Sequence, residues 1–196
     1  MSLIKKIIVN LIVFFGLSIG GGLGSAWYMI EAGSRLSTRS NGPWVTWSAA
    51  GRPDADPYTR AHMVRDSLLP LSSTLELSYR AKTDSAGGRL RSGCDYTITL
   101  TGFDGAWWNL AAFDSQGRLI ANPAERYAFN RDNVMREPDG RAIVSLARDA
   151  RSGNWLPIGS SRFTLILSID DPTQAARVYE SGISRPLPEI KRIACR

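Results

Sequence analysis

The side chains that most often do chemistry are scarce in this chain: one histidine, His62, and two cysteines, Cys94 and Cys195, among 196 residues. A zinc site built from several histidines is excluded, and a Ser-His-Asp arrangement would have to form around His62. No nucleophile-elbow sequence accompanies it, so His62, next to Met63, reads as a partly exposed residue of a helix. No metal or cofactor is expected. Gly20-Gly21-Gly22 lies inside an apolar run, and Gly87-Gly88 lacks the following Lys and Ser or Thr of a phosphate-binding loop. Carboxylates are the remaining catalytic candidates. Glu76, Asp95 and Asp104 are those a hydrolase or lyase acting on glycans would use, because such chemistry needs two carboxyl groups at a fixed separation. Asp54 with Asp56, and the loose group Asp132, Glu137 and Asp139, are explained by turns and helix caps. Asp170 and Asp171 read as a strand exit and a cap.

Trp44, Trp47, Trp107, Trp108 and Trp155 follow the first apolar segment. Exposed indoles on a β-sheet can grip sugar rings, and filling a core is the alternative use. Trp107 and Trp108 are adjacent in a strand pattern, so they point to opposite faces and at most one enters the core. Trp107, Trp108, Trp155 and Asn154 are the candidates for ligand or partner contact. For Asn154-Trp155-Leu156-Pro157 a structural role competes: Trp155 plugs one end of the fold while Asn154 holds local backbone.

The solvent these side chains meet is decided by Ile7 to Ile30, an uncharged run in which Asn10 is the one strongly polar residue. A helix needs about 20 apolar residues to cross the hydrocarbon core of a membrane. Lys5 and Lys6 precede the run, while Glu31, Arg35 and Arg39 follow it, a bias that keeps the first end in the cytoplasm. The expected organisation is a cytoplasmic N-terminus over 1–6, a membrane span over 7–30, a lead-in linker over 31–55 and a periplasmic domain over 56–196. Gly24-Ser25-Ala26 before Trp27 would also suit a cleaved secretory signal. Trp27, Tyr28, Met29 and Ile30 extend the apolar run past that point, which favours an anchor. Gly16, Gly20 and Gly24 share one helix face, a spacing that lets two helices approach closely in lipid. The partner would be another protein or a second copy; the frequency of glycine in membrane helices explains the same spacing without one.

Beyond the span, 22 Lys and Arg face 18 Asp and Glu, and the cations are scattered. A nucleic-acid partner is excluded for want of a basic stripe and by compartment, while anionic lipids and envelope polymers are not. Two cysteines in an oxidising compartment are expected to pair as Cys94–Cys195; two free thiols or an intermolecular bond are the alternatives.

Asp56-Pro57 starts a helix that runs to about Leu69 and stops at Pro70, with Tyr58, Ala61, Val64 or Arg65, and Leu68 on one face. The pattern then alternates. Thr74–Tyr79, Tyr96–Thr101, Trp107–Phe113, Ala142–Ala147 and Phe163–Ile169 read as strands, with Tyr96, Ile98 and Leu100 on one face of the second. Asp114-Ser-Gln-Gly117 should turn Trp107–Phe113 into a short Arg118–Ile120 strand as a hairpin. Asp171-Pro172 starts a second short helix through about Tyr179, closed by Gly182. Strands at short intervals imply a mainly β, antiparallel sandwich or barrel with two short peripheral helices.

Several motifs occur in a recognisable order: Asp56-Pro57-Tyr58-Thr-Arg-Ala61, Gly93-Cys94-Asp-Tyr96, Trp107-Trp108, Asp114 to Gly117, Asp139-Gly140, Asn154-Trp155-Leu156-Pro157, and Leu187-Pro188 with Cys195. Together, over roughly Gly42 to Cys195, they resemble the family of unknown function designated DUF1214. The resemblance implies a jelly-roll-like β-sandwich and no established reaction. Short bacterial members look like single-span envelope proteins, and longer relatives carry a further β-rich domain ahead of this one. After Phe163, where relatives tend to have an Arg and a Tyr near the strand end, this chain has Leu167-Ser168-Ile169-Asp170, so a site built on that Arg and Tyr is not carried over. The function expected is a non-enzymatic binding or assembly component of the bacterial envelope, anchored in the inner membrane; the alternative is the carboxylate-based glycan hydrolase or lyase.

Overall fold

Alternating apolar residues at Tyr96–Leu100 and Phe163–Ile169 become two sheets closed over one core. The computed structural model describes residues 3–31, 37–65, 69–102, 106–171, 173 and 186–196. Among these, helix α1 (Leu3–Glu31) precedes β1 (Thr38–Asn41), β2 (Trp44–Trp47), helix α2 (Pro57–Arg65), β3 (Glu76–Ala81) and β4 (Cys94–Leu100). Then come β5 (Trp107–Asp114), β6 (Ala128–Asn130), β7 (Ala142–Ala147), β8 (Asn154–Pro157), β9 (Phe163–Asp170) and β10 (Ile190–Cys195). One sheet has the order β1-β2-β3-β9-β5-β6 and the other β10-β4-β7-β8. The chain changes sheet from β3 to β4, β4 to β5, β6 to β7, β8 to β9 and β9 to β10. Long crossings of this kind make the core non-local.

The core lies between the sheets. Inward residues of the larger sheet, among them Trp44, Leu77, Tyr79, Trp108, Leu110, Leu165, Leu167 and Ile169, meet Tyr96, Ile98, Leu100, Val144, Leu146 and Leu156 of the smaller one. Tyr96 and Phe163 pack edge to face across that space, 5.8 Å between ring centroids.

Several expectations change here. The lead-in over 31–55 contributes β1 and β2 to the larger sheet, with Trp44 and Thr46 buried. Strands of four residues are too short to display a period in sequence, and β2 is held by pairing with β3 rather than by its own pattern. Trp44 is fixed across 144 residues, its indole N–H donating to the Pro188 carbonyl at 2.8 Å. Asn154–Pro157, read as a loop, is a strand that runs parallel to β7; the other pairings are antiparallel. The Arg118–Ile120 strand reduces to one bridge, Phe113 to Leu119, and β5 pairs with β6 and β9 instead. The helix expected after Asp171-Pro172 lies almost wholly outside the described residues.

The short helix α2 begins as the sequence requires. The Asp56 carboxylate accepts from the Tyr58 and Thr59 amides, each at 3.0 Å, and from the Thr59 hydroxyl at 2.5 Å. Partial burial pushes this carboxyl up, but the hydroxyl and the two amides outweigh it and hold it below its ordinary value. A carboxyl lowered on folding contributes stability above its unfolded pKa and loses it as pH falls through the folded one. Replacing Asp56 by alanine should therefore cost about 1 kcal/mol at neutral pH. In thermal melts that difference should shrink below the ordinary carboxylate range, and a difference constant down to strongly acidic pH would refute the cap.

Candidate functional site

The tryptophan pair resolves by strand geometry. Trp108 is 0% exposed and Trp107 41% exposed, so Trp107 alone of the two faces solvent. Trp108 is thereby removed as a contact residue: it belongs to the core. Asn154 is buried and its amide is used internally, donating to the carbonyls of Met135 at 2.7 Å and Ile143 at 3.0 Å and accepting from the Met135 amide at 2.8 Å. The half-buried Trp155 donates from its indole to the Ala147 carbonyl at 2.9 Å. Both residues fasten the 135 region and β7 to β8. Asn154 is thus occupied as backbone glue, as one of its two sequence readings held.

Cys94 and Cys195 form a disulfide and lie opposite each other in the β4–β10 register. The same strand is held by a device invisible in sequence. Asp84, its side chain 1% exposed, pairs with Arg192 at 2.7 Å and accepts from the Ala86 and Gly88 amides at 3.0 and 2.8 Å. A Cβ on Gly88 would lie 2.2 Å from an Arg192 guanidinium nitrogen, so glycine admits the cation to the turn. The Asp-Ser-Ala-Gly-Gly turn is legible, but its partner sits 108 residues away.

The carboxylates named for catalysis separate. Glu76 is on the larger sheet, and Asp95 is on the smaller one, bound to Arg151 at 2.5 Å. Asp104 lies outside the described residues. Glu76 instead has a different neighbour: Asp170 stands opposite it in the β3–β9 register, and Trp107 stands opposite Asp170 from β5. The three side chains form a row on the outer face, a juxtaposition that needs three strands and so could not be read from spacing. Among the described residues, no group of three or more His, Cys, Asp or Glu side chains could hold a metal ion.

A concave surface lies on that same outer face, where α2 and the chain after it flank β2, β3 and β9, and Glu76 borders it. A cavity of about 260 Å³ is lined by Val45, Trp47, Met63, Leu71, Arg80 and Ile166, among others. A second, of about 430 Å³, shares Val45, Trp47 and Arg80 and adds Glu31, His62, Arg65 and Lys82. Alternation explains its lining: the partners of the buried Leu77, Tyr79 and Ala81 along β3 point outward. His62 departs from the sequence reading. It is 7% exposed, packed against Trp47 at 4.9 Å between ring centroids with the planes tilted by 43°, and its Nε2 is 3.2 Å from the Met29 carbonyl. A carbonyl can only accept, so Nε2 carries the proton in this contact. Arg65 donates to the Ile30 carbonyl at 3.0 Å and to Glu31 at 2.8 Å. One groove wall is therefore the last turn of α1.

Helix α1 itself is long and apolar enough to cross a membrane, with mean hydropathy 2.1 over its most apolar window and no buried residue. At Gly16, Gly20 and Gly24 an added Cβ would meet nothing within 4 Å.

A family model described as "Protein of unknown function (DUF1214)" matches residues 76–174. Among solved structures, the VPA0106 protein from Vibrio parahaemolyticus is similar at 17% identity and a TM-score of 0.54, over 72% of this chain and 36% of that one. An uncharacterized protein from Burkholderia cenocepacia aligns at 17% identity and a TM-score of 0.41, over 62% of this chain and 30% of that one. The chain thus spans about a third of the length of these solved relatives. No curated protein matches.

Proposed function

Because the chain belongs to the DUF1214 family, whose members are of unknown function, we propose a role from its own geometry: a membrane-anchored, non-enzymatic binding or assembly component of the bacterial cell envelope. In this reading α1 crosses the inner membrane with its N-terminus in the cytoplasm, and the sandwich works in the periplasm. The observation that supports it is the junction. Met29, Ile30 and Glu31 at the end of α1 are bonded to His62 and Arg65 of α2, and Glu31 lines the groove, so anchor and binding surface are one unit. The exposed Gly16-Gly20-Gly24 face is then a surface for a partner helix, another protein or a second copy.

The test is native purification. The full chain should resist carbonate extraction from membranes, a C-terminal reporter active only outside the cytoplasm should be active, and a co-purified partner should be lost with Gly20→Leu. A chain released by carbonate, or a reporter active only in the cytoplasm, would overturn the reading.

A second reading, an envelope-glycan hydrolase or lyase, draws on the row Glu76, Asp170 and Trp107. Directly opposed residues bring Cβ atoms to about 4.5–5.5 Å, which allows two carboxyl groups to reach one sugar bond. New reducing ends released from envelope glycan by the native chain, and abolished by Glu76→Gln, would establish it.

A further inference from the structure

We propose that the larger cavity of the groove is a binding site for the phosphate of an anionic phospholipid headgroup, drawn from the leaflet into which α1 emerges. The inference rests on the membrane-anchor reading and deepens it. Among the described residues, three cations, Arg65, Arg80 and Lys82, line the cavity with one anion, Glu31, which is ion-paired to Arg65 at 2.8 Å. By formal charge the described lining is therefore positive. Guanidinium forks and an ammonium are the groups that recognise phosphate oxygens, the first in fixed planar geometry and the second as a mobile point charge.

Position selects a lipid over other anions. Glu31 is the last residue of the apolar helix, and Trp27 and Tyr28, both exposed, mark the aromatic level at which such a helix leaves the hydrocarbon. The cavity opens within one helical turn of that level, so a headgroup reaches it with its acyl chains still in the bilayer. Pro43, Val45 and Trp47 supply an apolar wall for the glycerol region, and the His62 ring packs against Trp47. A free phosphate would use the cations and leave that wall unused.

The site is tested on the full chain in dodecyl maltoside by native mass spectrometry, titrating phosphatidylglycerol, phosphatidylcholine of the same acyl chains, and inorganic phosphate in parallel. Phosphatidylglycerol should be retained at least about fivefold better than phosphatidylcholine, reflecting electrostatic selection at a basic site. Lys82→Glu, an exposed position, and the milder Arg80→Gln should each bring retention towards the phosphatidylcholine level, while Lys191→Glu on β10, outside the groove, should not. Equal retention of the two lipids, insensitivity to both groove variants, or displacement of the lipid by inorganic phosphate at matched concentration would overturn the proposal. Failure of the anchor reading is separately visible. A chain that stays monodisperse in buffer without detergent and does not float with vesicles removes the anchor, whereas a detergent-dependent chain without lipid preference removes only the headgroup site.

Discussion

Replacing Cys94 and Cys195 together by alanine lowers the stability of the sandwich by about 4–5 kcal/mol, the largest effect expected of any covalent change. The reason is topological. The bond closes 101 residues, so its removal restores to the unfolded chain the freedom of the whole stretch from β4 to β10. The folded state changes less, because β10 keeps its pairing with β4 and the ion pair of Arg192 with the buried Asp84. Urea unfolding of the full chain in detergent, followed by tryptophan fluorescence, should show an earlier midpoint in the variant, and reduction of the native protein should reproduce it. Alkylation of both cysteines in the absence of reductant would show that the bond does not form, and an unchanged midpoint would show that it does not stabilise.

Trp108→Ala should cost about 3–5 kcal/mol, as deletion of a fully enclosed indole leaves a cavity that a two-sheet core cannot collapse around. Trp107→Ala, one residue away, should change stability by no more than about 0.5 kcal/mol. The contrast isolates geometry from chemistry: same residue type, same strand, opposite faces. Trp108 stands opposite Ile169 within the core, whereas Trp107 stands opposite Asp170 at the surface. The same unfolding experiment reads both, and comparable losses for the two variants would mean that β5 pairs in a register shifted by one residue.

Much of the β architecture was legible because strand alternation is a local signal. Tyr96, Ile98 and Leu100, and Phe163, Leu165, Leu167 and Ile169, are buried as their period demands. The Asp56 cap is legible for the same reason, its amide donors lying two and three residues away. Asn154 has two sequence readings, contact residue and holder of local backbone, and its bonds to Met135 and Ile143 make it the second; its strand is not legible, because four residues cannot display a period and its parallel pairing with β7 is imposed from outside. For the same reason β1 and β2 were hidden in what read as a linker.

The groove was the least legible feature. Its lining joins α1, β2, α2, β3 and the residues just after it, and each contribution is unremarkable in its own segment: Arg80 and Lys82 lie past the alternating pattern that ends at Tyr79, and His62 reads as a partly exposed helix residue. Packing against Trp47 and contact with Met29 contribute to the burial of that histidine.

By itself the sequence determined the apolar helix, the alternating strands and the capped start of α2, since each depends on neighbours in the chain, and it left each cysteine one partner within the chain should the two be oxidised. The tertiary structure decided which tryptophan of the pair is enclosed, which carboxylates stand together and where the cations gather. Those outcomes are set by strand order and register, and a side chain's partners across a sheet are fixed by residues far away that no local period specifies.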